Sequence, residues 1–468
     1  MIVKKYTNAA RFYEFYDQMS SKHGRIGENV YISTEHLAVM CIELRTCPPY
    51  NDITQKRSAS FADKAEIRRN IIMVTLQMVQ EAQAALKGIA RKTPLENAKR
   101  LGENIYIKSE NLQLTGAFKI RGAYNKIRSL TPEEASHGVI ACSAGNHAQG
   151  IALSATKLGI KSVICMPEGA PISKVEATRN YGAEVVLVPG IYDDAAREAE
   201  RLSKEHGYTF AHPFNDPYVI AGQGTIGLEI LEQLPDVEQV VVPIGGGGLI
   251  SGVAFAIKQL KPECKVIGVQ AGVVASMYAS RKAGKITTVA DAATLADGIH
   301  VLTPGDLTFE MCQKYVDEIV TVSEDEIAAA ILALLEVQKT VAEGAGATPV
   351  AAFMSGKVDT TKKTVCVVSG GNVDVTTLSR VITRGLTYTG RLTTITTKLA
   401  DRAGSLVNLL NVVSGTGANI VRIHHEREDV NSEVNACVVS MVLETRNADH
   451  VAQIREKLTE KGYSLLDA

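Results

Sequence analysis

The 468-residue sequence predicts an α/β protein that carries a second, differently patterned module at its C-terminal end. From about residue 90 to 370, short β-rich apolar runs alternate with helical stretches. Those runs are continuously apolar, which argues a mainly parallel sheet covered on both faces. After about residue 388 the pattern changes to alternating strands interleaved with amphipathic helices. A chain of this length exceeds the roughly 250–300 residues at which one core stops growing, so two or three domains are expected.

In chain order, residues 1–72 read as an N-terminal extension of unknown role, polar and basic in NDITQKRSASFADKAEIRRN, and the Met73 region reads as a natural beginning. TLQMVQEAQAALKGI has helical spacing, with Thr75 placed to cap its start. The strand-like runs are NIYIKSE, GVIACS, SVICMP, EVVLVP, QVVVPI, KVIGVQ, EIVTVS and TVCVVS. HAQGIALSATKLG and DDAAREAERLSKEHG supply helices between them. Ser323 followed by Glu326 forms a capping box ahead of IAAAILALLE. Beyond residue 388, RLTTITTKL, NIVRIHHERE, NACVVSMVLE and YSLL read as strands. GSLVNLLNVVSGTG and AQIREKLTEKG read as helices, and Leu406, Leu409, Leu410 and Val413 share one face of the first. The result is βαββαβ, a ferredoxin-like module. The expected domains are 1–72, 73–385 and 389–468.

Composition excludes several classes. Fifty basic residues face 51 acidic ones, and no basic stripe interleaves with aromatics, so neither nucleic acid nor an anionic membrane is an expected partner. The eight cysteines, at 41, 47, 142, 165, 264, 312, 366 and 437, make no C-x-x-C pair and no zinc-ligand spacing with histidine. They read as reduced thiols, and the absence of a long apolar run or secretory leader makes the expected location cytoplasmic. No metal site is expected, and His424 and His425 read as strand residues.

Four segments carry chemistry. Gly245, Gly246, Gly247 and Gly248 follow VVVPI and precede the helical LISGVAFAIKQL. Glycines admit an anion to the backbone, and the helix N-terminus offers free N–H groups, so a phosphate binds there without a basic side chain. A tight strand–helix turn is the other reading. No Gly-Lys-Ser/Thr follows, and no register gives G-x-G-x-x-G. Ser143, Ala144, Gly145, Asn146 and His147 form a second cradle after GVIAC, suited to a carboxylate or to a structural turn. Lys119, in LTGAFKIRGA, is either a helix-surface lysine or one whose ammonium is disfavoured by apolar neighbours, which assists imine formation. Ser369, Gly370, Gly371 and Asn372 end the strand TVCVV in a hydroxyl and a sharp turn.

Together these segments resemble the fold type II pyridoxal-phosphate enzymes, specifically the threonine dehydratases, or threonine ammonia-lyases. SENLQLTGAFKIRGA resembles their lysine segment, SAGNHAQG their substrate loop, GGGGL their phosphate loop and SGGN their pyridine-contacting turn, over residues 73–385 in family order. The resemblance implies pyridoxal 5'-phosphate as cofactor, two open, mostly parallel α/β subdomains, and L-threonine and L-serine as substrates. It makes Lys119 the Schiff-base lysine and the base for the α-proton. Gly245 to Gly248 and the N–H of Leu249 hold the phosphate, Asn146 the ring oxygen and Ser369 the pyridine nitrogen. Phe118 lies beside the ring, and Ser143 to His147 grip the substrate carboxylate. A neutral serine at the ring nitrogen favours prompt loss of the β-hydroxyl over transamination.

Related serine racemases carry serine where this chain has Ala144, so little racemisation is expected. They also bind a divalent cation at positions matching Gln270 and Ser276, which are not acidic here. The C-terminal module is similar to ACT domains, through DRAGSL at Asp401–Leu406 and GANI at Gly417–Ile420. That implies an amino-acid or nucleotide effector, such as isoleucine or AMP, and a homo-oligomer, dimer or tetramer. Gly404, Asn419 and Ile420 are the candidate effector residues at an interface between two such modules; a purely oligomerising domain is the other reading. The competing functions are a serine dehydratase or racemase, and a catalytically silent amino-acid sensor.

Overall fold

Runs of β-branched residues favour strands wherever both faces are buried, and they set the frame of the molecule. The computed structural model describes residues 74–427 and 435–466. The extension expected over 1–72, with Cys41 and Cys47, lies outside the described residues. The strands are β1 Leu95–Asn97, β2 Ile105–Ser109, β3 Val139–Cys142, β4 Ser162–Pro167, β5 Glu184–Val188, β6 Thr209–Phe210, β7 Gln239–Pro243, β8 Lys265–Ala271, β9 Glu318–Val322 and β10 Thr364–Val368. β2, β3, β4, β5, β7, β8, β9 and β10 fall on the eight expected runs. β1 and β6 have three and two residues, too few to show a period.

Two sheets result. One has the order β1-β2-β10-β7-β8-β9, parallel throughout except for the antiparallel edge strand β1. The other, β5-β4-β3-β6, is parallel throughout. Alternation along each strand sends side chains to opposite faces. Val241, Ile267 and Cys366 therefore pack against Ala347, Val350 and Phe353 of the helix Gly344–Met354. Val240, Val242 and Val365 pack against Ile250, Val253 and Ile257 of the helix Gly248–Leu260. In the smaller sheet Ala141 and Ile164 meet Ile151 and Ala155 on one side. Cys142 and Cys165 meet Ala195 and Ala199 on the other. Both parallel sheets are thus covered on two faces, and their ligand sites belong at the strands' carboxyl ends.

Both expected caps form. Thr75 Oγ1 accepts the Met78 N–H, and Ser323 and Glu326 exchange side-chain-to-backbone bonds. The helix Val375–Tyr388 closes the α/β part, and the expected boundary at residue 385 falls inside it. The C-terminal module follows as β11 Leu392–Ala400, the helix Ser405–Ser414, β12 Asn419–Glu426, β13 Ala436–Glu444, the helix Ala448–Glu460 and β14 Leu465–Leu466. Its antiparallel sheet, β12-β13-β11-β14, is ferredoxin-like. Leu409 and Val413 are buried with Ile395, Val439, Met441 and Ile454, while Leu406 and Leu410 are half-buried against them. Arg391, just ahead of β11, sets Nη1 2.9 and 2.7 Å from the two carboxylate oxygens of Glu336.

Candidate active site

The lysine segment is laced to the turn after β10. Gly116 has φ +70°, and a Cβ there would lie 2.3 Å from Asn372 Oδ1, so glycine is needed on both counts. Ala117 bridges Gly370, Phe118 N–H donates to Ser369 O at 3.0 Å, and Gly371 N–H donates to Gly116 O at 2.9 Å. Lys119 then opens the helix Lys119–Arg128. Its Nζ donates to Pro213 O at 2.9 Å and sits 5.3 Å from the Phe118 ring centre. Burial pulls the Lys119 pKa down to about 8, against the opposing pull of the Glu343 carboxylate. Of the two readings open from sequence, the surface lysine is excluded.

The two glycine-bearing loops present rows of unused donors. None of the backbone N–H groups from Gly245 to Ile250 donates a hydrogen bond among the described residues, although all but Gly245 are buried. They follow β7 and form the first turn of the helix Gly248–Leu260, where intrahelical partners cannot exist. The N–H groups of Ala144 and of Asn146 to Gln149 are likewise unpartnered among the described residues, after β3 and at the start of the helix Asn146–Leu158. That helix abuts the lysine: a Cβ on Gly150 would lie 3.2 Å from the Lys119 carbonyl carbon. Phe214, next to Pro213, lies against the other row, 2.4 Å from a Cβ placed on Gly246 and 2.8 Å from one on Gly248. Buried orphan N–H groups cost free energy unless an anion takes them.

Between these rows stands a polar chain. Asn146 Nδ2 donates to both oxygens of Glu343, at 2.8 and 3.0 Å. Asn146 Oδ1 accepts from Asn372 Nδ2 at 2.8 Å, and Asn372 Nδ2 also donates to Thr115 O at 2.8 Å. Burial pushes the Glu343 carboxyl up to about 7, while the Asn146 bond works the other way. Ser369 is buried at 2% exposure, and its hydroxyl has no hydrogen-bond partner among the described residues. His212 Nδ1 accepts the N–H groups of Phe214 and Asn215, and burial and Lys119 pull its pKa to about 4, so the ring is neutral.

The His147 ring is turned away from the row: its Nε2 lies 2.9 Å from Ala211 O, and burial pulls its pKa down to about 3. Only its backbone N–H faces the unpartnered row. Ser143 Oγ accepts the Gly145 N–H at 3.2 Å. Glu343, Pro213 and His212 were not singled out from sequence. Pro213 reaches Lys119 across 94 residues and Glu343 reaches Asn146 across 197, and no local pattern marks them.

The C-terminal candidates do not converge within one chain. Gly404 follows β11 beside the Ala400–Ala436 end of the sheet, whereas Asn419 pairs with Glu444 at the opposite end. Asn419 Nδ2 is bonded to Glu444 at 3.1 Å, and Ile420 packs into the module's core. Gln270 and Ser276 are committed to protein partners, Tyr278 N–H and Val301 O respectively. Among the described residues no three His, Cys, Asp or Glu side chains gather to hold a metal ion, and no helix is long and apolar enough to cross a membrane. The six described cysteines are free and buried.

A desolvated lysine, a row of buried and unpartnered N–H groups, an unpartnered hydroxyl and an oriented amide fit a phosphorylated aromatic aldehyde cofactor. The fold and site define a cofactor-dependent α/β enzyme. The chain belongs to the pyridoxal-phosphate dependent enzymes, whose family profile matches residues 86–370. It is 52% identical to the L-threonine ammonia-lyase of Thermotoga maritima, over 84% of this chain and 99% of that protein. It is 50% identical to the catabolic L-threonine dehydratase of Escherichia coli K12, over 66% and 96%. Among solved structures it is similar to threonine deaminase isoform 2 of Solanum lycopersicum, with TM-score 0.63, 40% identity and coverage of 66% and 93%. It is also similar to maize serine racemase, with TM-score 0.64, 35% identity and coverage of 68% and 99%.

Proposed function

We propose that this chain is an L-threonine ammonia-lyase, converting L-threonine to 2-oxobutanoate and ammonia and L-serine to pyruvate and ammonia. The observation that carries the reading is the desolvated Lys119 amine, packed against one row of orphan N–H groups and tied through Pro213 and Phe214 to another. Pyridoxal phosphate, when bound, draws electron density from the α-carbon of the amino acid it carries. Everything else is done by the chain. The N–H groups of Gly245 to Leu249 bind the phosphate, Ser369 faces the ring nitrogen, and Asn146 donates to the ring oxygen. The N–H groups of Ala144 and Asn146 to His147 take the substrate carboxylate and fix the α-carbon relative to Lys119. Lys119 Nζ is the attachment point for the cofactor and, once released by substrate, takes the α-proton. The β-hydroxyl leaves with a proton as water, and the released enamine tautomerises to an imine that water hydrolyses to the oxo acid and ammonia.

The C-terminal module is read as an ACT-type regulatory domain that binds an amino acid such as isoleucine between two copies. The opposite-end placement of Gly404 and Asn419 favours a site completed by a second chain, and hence a dimer or tetramer. The location is the cytoplasm. A steady-state assay of L-threonine and both serine enantiomers, with and without isoleucine and AMP, tests activity and regulation together. No 2-oxobutanoate from a protein that carries the cofactor would overturn the first. Absence of amino-acid binding by calorimetry, with unchanged kinetics, would leave an oligomerising domain.

A further inference from the structure

The amide of Asn146 has two ends of opposite hydrogen-bonding polarity, and only one orientation fits its surroundings. Its nitrogen end meets the two oxygens of Glu343 at 2.8 and 3.0 Å, and its oxygen end meets the N–H of Asn372 at 2.8 Å. Asn372 cannot reverse, because its nitrogen also serves Thr115 O, a pure acceptor. A reversed Asn146 would set its oxygen against a carboxylate and its NH2 against another NH2. Glu343 is itself fixed: its N–H donates to Gly370 O at 3.0 Å, and it is 4% exposed. A Cβ on Gly370 would lie 2.4 Å from its Oε1, so the turn after β10 closes over the carboxylate.

We propose that Glu343 is a positioning residue which, with Asn372, locks the Asn146 amide so that the cofactor's ring oxygen always meets an N–H and never a carbonyl. This rests on the reading of Asn146 as the residue facing the ring oxygen. Glu343 acts through Asn146. Three charged groups face it: Lys119 from its own helix, Lys174 from the helix Ile172–Asn180 and Asp297 from the 3-10 turn Asp297–Ile299. Asp297 pushes the carboxyl toward its neutral form and Lys174 opposes it. With the Glu343 pKa near 7, the lock is complete in mildly alkaline solution and loosens in acid, as the carboxyl becomes a donor and gives up one acceptor oxygen.

The experiment is a double-mutant cycle on retention of pyridoxal phosphate by the full-length holoprotein, measured by equilibrium dialysis at pH 8 and pH 6. Glu343→Gln keeps the shape and removes the charge, so the fold has no new bulk to accommodate. Glu343→Gln and Asn146→Ala are each expected to weaken retention on the order of tenfold at pH 8, the loss of one charge-assisted hydrogen bond. The double variant should be no weaker than the worse single. Wild type should lose more affinity between pH 8 and pH 6 than Glu343→Gln does, because protonation of Lys119 acts on both proteins and loosening of the lock on wild type alone. Multiplicative single effects, or a Glu343→Gln protein that retains cofactor as wild type does, overturns the proposal. A wild-type protein that never holds the cofactor overturns the underlying reading instead.

Discussion

Arg121 grips both carboxylate oxygens of Glu110, through Nε and Nη2 at 2.8 Å each, two residues along the helix that Lys119 begins. Arg121 Nη1 also reaches Glu229 at 2.6 Å, and Lys108 Nζ reaches the other oxygen of Glu229 at 2.6 Å. Four buried charges thus cancel in pairs behind the lysine segment. Burial alone would raise the Glu110 pKa, yet Arg121 and Lys108 hold it below the ordinary carboxylate value. Its contribution to stability is therefore present above the unfolded pKa and lost as pH falls through the lower folded one. Removing one member leaves an uncompensated buried charge. Arg121→Met should lower unfolding free energy by about 3–5 kcal/mol in denaturant titrations, far more than the exposed Arg201→Ala. Equal effects at the two sites would mean the quartet is no more than a solvated pair.

Lys119 gives a pH dependence of the same sense in a more alkaline range. Its folded pKa of about 8 lies below the ordinary lysine value, so the folded protein binds fewer protons than the unfolded chain between the two. The cost of burying the ammonium is fully present below about pH 8 and is relieved as pH rises toward the unfolded value. Only the neutral amine attacks an aldehyde. The rate at which the cofactor-stripped chain takes up pyridoxal phosphate should fall roughly tenfold per pH unit below about 8. Stopped-flow absorbance checks this, and a flat rate from pH 6 to 8 would show that the amine is not desolvated in solution.

How far these features were readable in advance depends on their range along the chain. Lys119 and Ser369 gained their roles from the resemblance of the four segments together, whereas the tetraglycine and the SAGNH loop announce themselves through neighbours within a few residues, because strand, glycine turn and helix start are local signals. Eight strands were legible for the same reason. Glu343 lies in VAEGAGATP, where a single acid looks like any helix N-terminal residue; its meaning comes from Asn146, 197 residues away. Pro213 contributes a backbone carbonyl, which no side-chain pattern encodes. His147 adjoins the cradle in sequence, yet helix geometry turns its ring onto Ala211 O, which no local pattern announces.

Gly248 links phosphate binding to the lysine. A Cβ at this position would lie 2.9 Å from the backbone Cα and O of Phe214 and 2.8 Å from its Cβ, so the segment carrying Pro213 has to move. Gly246 faces only the distal ring atoms of Phe214, which can rotate away. Gly248→Ala should therefore displace the Pro213 carbonyl from Lys119 and cost about 1–3 kcal/mol in stability from overpacking. Binding of pyridoxal phosphate should weaken together with uptake rate. Gly246→Ala should leave stability closer to wild type. Thermal unfolding and cofactor titration of both variants measure it, and a Gly248→Ala protein as stable as Gly246→Ala would show that the Phe214 backbone is free to yield.

In the proposed site Ala144 would lie on the face of the substrate away from Lys119, as the resemblance to serine racemases implies. Its N–H is one of the unpartnered donors of the row proposed to take the substrate carboxylate. The neighbouring Ser143 turns its hydroxyl oxygen back to Gly145 N–H. A second proton donor is then missing, and an α-carbon stripped of its proton by Lys119 is reprotonated only from the side it came from. Elimination of the β-hydroxyl wins by default. L-Serine should give pyruvate with D-serine at no more than roughly one part in a hundred, a difference of about 3 kcal/mol between barriers. Ala144→Ser places a hydroxyl there and should raise D-serine formation at least about tenfold while pyruvate formation falls, since protonation competes with loss of the leaving group. Chiral chromatography of the product mixture separates the outcomes. Comparable D-serine and pyruvate rates in the wild-type chain would place the second acid elsewhere, and His212, neutral and next to the carbonyl that holds Lys119, would be the first residue to substitute.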